Sequence, residues 1–210
     1  MKQPVTLATG VVPILLAAFV QFGMAITPVA AAEDAGGPAM DVIGFARAPV
    51  GFVAFCTRYP TDCAADKEPR RIVLTSQSIA ELDRVNRLVN GRVQPVTDLA
   101  LYGKTEYWAY PVDKGDCEDY VLLKRKMLIQ TGWPASALLI TVVRDQADEG
   151  HAVLTVVSDK GDYILDNQRD GVLPWRATVY DYIKRQSQTD PKAWVFVGTA
   201  KAGVGVASTR

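Results

Sequence analysis

The chain has 210 residues, about half of them hydrophobic, with 23 basic and 23 acidic side chains and a single histidine, His151. Zero net charge without a basic stripe argues against nucleic acid or anionic lipid as a partner. One histidine confines imidazole chemistry to one position.

The N-terminus reads as an export signal. Lys2 supplies the charge, residues 11–20 and onward are mostly apolar, and Ala30-Ala31-Ala32 offers a small-residue cleavage site before Glu33. An uncleaved anchor is the competing reading, but Gln21 and Gly23 interrupt the hydrophobic run. Residues 1–32 are therefore expected to be a signal peptide, with the mature protein periplasmic or secreted and without stable membrane insertion. Removing 32 residues from 210 leaves about 178, enough for one domain with a sizeable core. Residues 33–43, rich in Ala and Gly and carrying Pro38, read as a flexible leader, 44–200 as the domain and 201–210 as a disordered tail.

Export changes the meaning of the three cysteines. Cys56 and Cys63 would close a short disulfide loop punctuated by Pro60; a zinc site is the alternative, but four soft ligands are not present. Cys117 is then the thiol left over.

A helix is expected over 77–90, with Ile79, Leu82, Val85, Leu88 and Val89 on its core face. Ser78 and Glu81 have capping-box spacing, Thr75 is another candidate cap, and Gly91 is a stop. The aromatic stretch 99–111, with Tyr102, Tyr107, Trp108 and Tyr110, serves as packing under a loop, as one wall of a substrate groove, or as both. A second helix is expected over 117–130, with Cys117, Tyr120, Val121, Met127 and Leu128 inward and Lys124, Arg125 and Lys126 on much of the remaining surface. The period then switches to two. Strands are expected over 138–143, 152–157, 163–165 and 194–197, while 178–185 fits neither period. Helices followed by an antiparallel sheet make the class α+β.

With Asp116 as N-cap, Cys117 is the first helical residue, where unsatisfied N–H groups and the helix dipole are expected to lower a thiol pKa and to stabilise an oxyanion. His151 opens one strand and Asp166 ends the next. If the turn around Asp159-Lys160-Gly161 has two central residues, Val153 lies opposite Asp166 and His151 shares its face two residues away. A nucleophile, a base and an orienting carboxylate in this order suggest a Cys-His-Asp triad; taken singly, the cysteine reads as core and the histidine as a surface or capping residue.

Gly115-Asp116-Cys117-Glu118-Asp119-Tyr120, Gly150-His151-Ala152-Val153-Leu154 and Leu165-Asp166-Asn167 resemble the three signature blocks of the bacterial transglutaminase-like cysteine peptidases. Phe55-Cys56 to Cys63, Val85-Asn86 to Val89-Asn90, and Tyr107-Trp108 with Pro111 add to the resemblance, which covers about 45–198. It implies a papain-like or transglutaminase-like fold, with Cys117 as nucleophile, His151 as base and acid, and Asp166 as orienter. It also implies a protein substrate, such as a surface or envelope protein. Some members are periplasmic, calcium-dependent proteases that release adhesins, and acidic residues flanking their cysteine bind the metal; the matching positions are Asp116, Glu118 and Asp119. Helix capping and first-turn charge account for the same three residues without an ion. No cofactor is required for the chemistry itself. The segment between Trp108 and Cys117 is shorter than in the adhesin-releasing members. Trp108 matches a tryptophan that assists the oxyanion in transglutaminases, and packing is its other role.

The expected function is an exported cysteine peptidase working through a thioester. A transglutaminase or glutamine deamidase would use the same triad, and a non-catalytic envelope binding protein would keep the fold alone.

Overall fold

The structure is a computed structural model and describes residues 39–198 together with Met1. The expected signal peptide, the 201–210 tail and most of the leader lie outside the described residues. In chain order the elements are β1 (Asp41–Ala46), α1 (Val50–Arg58), a 3-10 turn (Pro60–Cys63), α2 (Ser76–Arg92), β2 (Gln94–Pro95), α3 (Asp98–Tyr102), β3 (Lys114–Gly115) and α4 (Cys117–Gln130). They continue with β4 (Leu138–Arg144), β5 (Gly150–Ser158), β6 (Gly161–Leu165), β7 (Leu173–Pro174), β8 (Asp181–Gln186) and β9 (Trp194–Gly198). Seven strands form one antiparallel sheet in the order β1-β9-β8-β4-β5-β6-β7, as an α+β chain requires. Among the described residues, no helix is long and apolar enough to cross a membrane.

Among the described residues, regular structure starts at Asp41, inside the expected leader. β1 is an edge strand with a bulge between Val42 and Gly44, and it leaves Val42, Ile43 and Phe45 exposed, so no half-buried alternation marks it in the sequence. α1 is likewise not anticipated by the periodicity. Its last turn carries Cys56, joined to Cys63 by the expected disulfide, which leaves Cys117 as the free cysteine.

α2 starts one turn earlier than the Ser78–Glu81 pattern suggests. Thr75 is the N-cap: its hydroxyl accepts from the Ser78 N–H at 3.1 Å, and the Ser78 hydroxyl accepts from the Thr75 N–H at 2.8 Å. Gly91 does not stop the helix, which runs to Arg92. Leu82, Val85 and Val89 are buried as expected, whereas Leu88 is 48% exposed because Asn86 takes the inward position beside them.

α4 is buried on nearly every side, and this overturns the solvent face expected at Lys124 and Arg125. Lys124 is 0% exposed. Arg125 is tied inward, with Nε donating to the Leu138 carbonyl at 2.9 Å and a guanidinium N–H donating to the Asp62 carbonyl at 3.0 Å. The second bond fixes the disulfide loop to the helix that carries Cys117.

The β5–β6 turn has the two central residues Asp159 and Lys160, because Ser158 pairs with Gly161, whose φ of 110° suits glycine. Leu154 then pairs with Leu165, and the register runs on to bring Val153 opposite Asp166. The mixed period of 178–185 has a physical origin: Thr178 caps a 3-10 turn, and β8 pairs with β4 across a register shift between Val142 and Val143. Apolar side chains form two clusters. One includes α1, α2, α4 and residues such as Leu154 and Trp194, and the other includes Val153, Ile164, Trp175 and Tyr180.

Candidate active site

Cys117 is the first residue of α4, and Asp116 holds the N-cap position with an extended backbone. The Asp116 side chain does not cap the helix. Its Oδ2 accepts from the Asp98 N–H at 3.2 Å instead. The Cys117 thiol donates to Glu118 Oε2 at 3.0 Å, and the Ala152 backbone N–H donates to the sulfur. Burial pushes this thiol up, and the Glu118 charge and hydrogen bond push it further, against the lowering effect of the Ala152 N–H. These influences act against the thiolate-stabilising effect expected of the helix terminus.

His151 Nε2 lies 2.9 Å from Asp166 Oδ1, and both side chains are buried. The same carboxylate accepts from the Gln168 N–H at 3.0 Å and, on Oδ2, from the Tyr180 hydroxyl. Burial alone would raise the Asp166 pKa, but the hydrogen bonds from His151, Tyr180 and Gln168 outweigh it and hold the group below the ordinary carboxylate range. Tyr180 packs against the imidazole with ring centroids 5.5 Å apart, and burial beside a carboxylate keeps its hydroxyl protonated. The expected His–Asp contact is thus present, with Tyr180 as an unexpected third partner. Its segment carries no clean period in the sequence, so nothing there points to the site. Among the described residues, Cys117 is bonded to Glu118 and not to His151; the thiol reaches β5 at Ala152, the residue after the imidazole.

The acidic group shares Asp116 and Asp119 with the expected set. Asp98, Asp116 and Asp119 each bring a carboxylate oxygen within 4.8 Å of the others, while Glu118 is directed to the thiol. Residues three apart at the start of a helix share a side, and Glu118 falls off that side. Asp98, opening α3 eighteen positions upstream of Asp116, has no spacing signal that could have found it. Asp98 Oδ2 accepts from the Tyr107 N–H, and Asp119 Oδ1 accepts from the Ala109 N–H at 2.7 Å. The other oxygens, Asp98 Oδ1, Asp116 Oδ1 and Asp119 Oδ2, are buried without a hydrogen-bond partner. Burial, and then Glu118, pushes Asp116 up to about 7. Burial pushes Asp119 up to about 8, with Asp116 and Asp98 adding to it against the pull of the Ala109 N–H. Gly115 makes room for this crowding, since a Cβ there would sit 2.6 Å from Asp119 Oδ2.

A cleft of about 220 Å³ is lined by residues including Pro49, Glu106, Trp108, Glu118, His151 and Lys184. Trp108 combines packing with a place in the cleft wall. It is 1% exposed and edge-packed on Phe52 at 5.7 Å, and it also forms part of the cleft wall, donating from Nε1 to Glu106 Oε2 at 3.2 Å. Gly51 permits this packing, because a Cβ would come within 2.4 Å of the indole.

The family model described as bacterial transglutaminase-like cysteine proteinase matches residues 42–202. Among solved structures, Legionella pneumophila LapG is similar at 24% identity over 55% of this chain and 67% of that chain, with a TM-score of 0.47. Its calcium-bound form is similar at 22% identity over 73% of this chain and 83% of that chain, with a TM-score of 0.48. No curated protein matches this chain.

Proposed function

Because the chain belongs to the bacterial transglutaminase-like cysteine proteinases, we propose that it cleaves peptide bonds in a protein substrate through Cys117, His151 and Asp166. The carrying observation is the buried 2.9 Å bond between His151 Nε2 and Asp166 Oδ1 at the start of β5, where the next residue, Ala152, donates its N–H to the Cys117 sulfur. With Nε2 held by Asp166, Nδ1 is the ring nitrogen left to take the thiol proton. The thiol leaves its Glu118 contact as it gives its proton to His151.

The sulfur attacks the peptide carbonyl carbon, and backbone N–H groups at the start of α4 meet the oxyanion. As the C–N bond breaks, His151 returns its proton to the leaving amine and a thioester remains. A water molecule then gives a proton to His151 and attacks the thioester, releasing the carboxylic acid and restoring the thiol. A transglutaminase or deamidase would share the first half of this path; membership in a proteinase family favours hydrolysis of the peptide bond.

Export and a substrate in the cell envelope are part of the same reading. The Cys56–Cys63 disulfide supports an oxidising compartment. Asp98, Asp116 and Asp119 fit a hard divalent cation, because each offers a buried oxygen that lacks a donor. Bound calcium would neutralise the crowded carboxylates. The chain's own part is to fix the start of α4 to the 107–109 segment through Asp119 and Asp98.

Alkylation tests the nucleophile. A single carboxamidomethyl group is expected, mapped to Cys117, with hydrolysis lost in proportion to its incorporation, and His151→Ala should slow both reactions. Hydrolysis that survives complete modification of Cys117 would sink the assignment.

A further inference from the structure

Cys117 stands at one end of a row of residues that crosses the sheet. The Ala152 N–H donates to its sulfur. Ala152 pairs with Val142, Val142 with Lys184, Lys184 with Phe196 and Phe196 with Gly44, so the row runs over β5, β4, β8, β9 and β1. Residues opposite each other in a ladder share a face. Two residues back along β9, Trp194 is buried, with its ring centroid 5.3 Å from that of Phe52 on α1. The row itself is left uncovered, and Phe196 is 45% exposed.

Two clefts over this row meet at Lys184. The lining of the cleft of about 220 Å³ at His151 includes Val142, Ala152 and Lys184. A second cleft, of about 560 Å³, is lined by Phe45, Ala46, Arg47, Ile183, Lys184 and Phe196. Lys184 is fixed at the junction, because Nζ donates to the Arg47 carbonyl at 2.9 Å. The register shift between Val142 and Val143 leaves Ile183 as the extra residue of β8, and the bulge brings it to the same cleft as Lys184. The far end is open at Gly44, where a Cβ would meet nothing within 4 Å.

We propose that this row is a substrate groove: the peptide lies across the sheet from Cys117, and Ile183 and Phe196 receive a bulky apolar side chain about four residues from the scissile bond. The distance sets that number. Three strand spacings separate Ala152 from Phe196, about 14 Å, and an extended chain advances about 3.4 Å per residue. The occupant is the substrate because the apolar cleft continues at Lys184 into the cleft that holds His151 and Glu118. The assignment rests on Cys117 being the nucleophile.

Peptides from a tryptic digest of a denatured bacterial proteome, incubated with the full chain and read by mass spectrometry for new termini, test the groove. For the wild type, Leu, Ile, Val, Phe and Met are expected about five- to tenfold above Ser, Thr and Asp at one position three to five residues from the cut. Phe196→Ser should lose that preference, and Ile183→Ser serves if Phe196→Ser does not fold. Val42→Ser, on the other face of the sheet opposite Val197, should keep it. A wild type without the preference would overturn the proposal, as would a preference kept in the folded Phe196 or Ile183 variant or lost equally in Val42→Ser. A wild-type dimer that Phe196→Ser dissolves while the preference persists would give the apolar cleft to a second copy of the chain. Capture of the same peptides on immobilised Cys117→Ala separates the groove from the chemistry. Capture of apolar peptides that is lost on adding Phe196→Ser, with no cutting by the wild type, keeps the groove and removes the peptidase. Cutting without the preference removes the groove alone, and neither cutting nor capture overturns both.

Discussion

Asp166→Ala is expected to lower kcat for peptide hydrolysis by about 10²- to 10⁴-fold, the range in which general acid–base groups and their orienting carboxylates act. The carboxylate accepts from His151, Tyr180 and the Gln168 N–H, so its removal frees the imidazole to turn and to place either nitrogen toward the thiol. It also strands the Tyr180 hydroxyl and the Gln168 N–H, at a stability cost of about 1–3 kcal/mol. Stability and catalysis can be separated by comparison. His151→Ala should lose at least as much activity, and the double variant should lose little more than His151→Ala alone, because groups acting as one unit are not additive. Fully additive losses in single-turnover kinetics would break the link between the two residues, as would activity retained in His151→Ala but lost in Glu118→Gln.

Asp119→Asn is expected to remove a calcium response while leaving the calcium-free protein at least as stable as the wild type. Burial raises the pKa values of Asp116 and Asp119, with Glu118 adding to it at Asp116 and the neighbouring Asp116 and Asp98 adding to it at Asp119. An asparagine at position 119 can still accept from the Ala109 N–H, and its amide can donate to a neighbouring carboxylate, so the repulsion falls. With calcium at 100 times its Kd, the wild type should gain about 2.7 kcal/mol by mass action, seen as a higher melting temperature that chelator reverses. The variant should show no such gain. A wild type whose melting temperature ignores both calcium and chelator would remove the metal, and an equal rise in both proteins would place it elsewhere.

Where the sequence carries a strong local signal, the fold follows it. Thr75, Leu82, Val85 and Val89 mark α2, and the run from Leu138 to Leu165 marks a meander whose register depends on a two-residue turn. That turn alone brings His151 and Asp166 together, so the pair is legible from alternation and loop length. Elements stabilised only by distant partners are not. β1 is an exposed edge with a bulge, and β8 crosses a register shift, so neither shows a usable period. Lys124 and Arg125 look like a solvated face by residue type, yet α4 is covered on nearly all sides and both are buried.

The site divides in the same way. Neighbours in sequence single out Cys117, His151 and Asp166 as candidates, but their electrostatics depend on side chains brought in by the fold. Glu118, expected among the metal ligands, hydrogen-bonds the thiol; Asp98 joins Asp116 and Asp119 through the parallel pairing of β2 and β3, which sets the start of α4 beside α3. The thiol shows the same dependence: a helix terminus supplies partial charge that favours a thiolate, whereas burial and the Glu118 side chain 3.0 Å from the sulfur push the thiol pKa up.

The most direct measurement is mass spectrometry of exported proteins after incubation with the wild type or with Cys117→Ala. New peptide termini that depend on Cys117, with no accompanying glutamine deamidation or crosslinks, are the predicted result. Deamidated or crosslinked glutamines without new termini would contradict the peptidase assignment, and identical termini with Cys117→Ala would contradict the nucleophile.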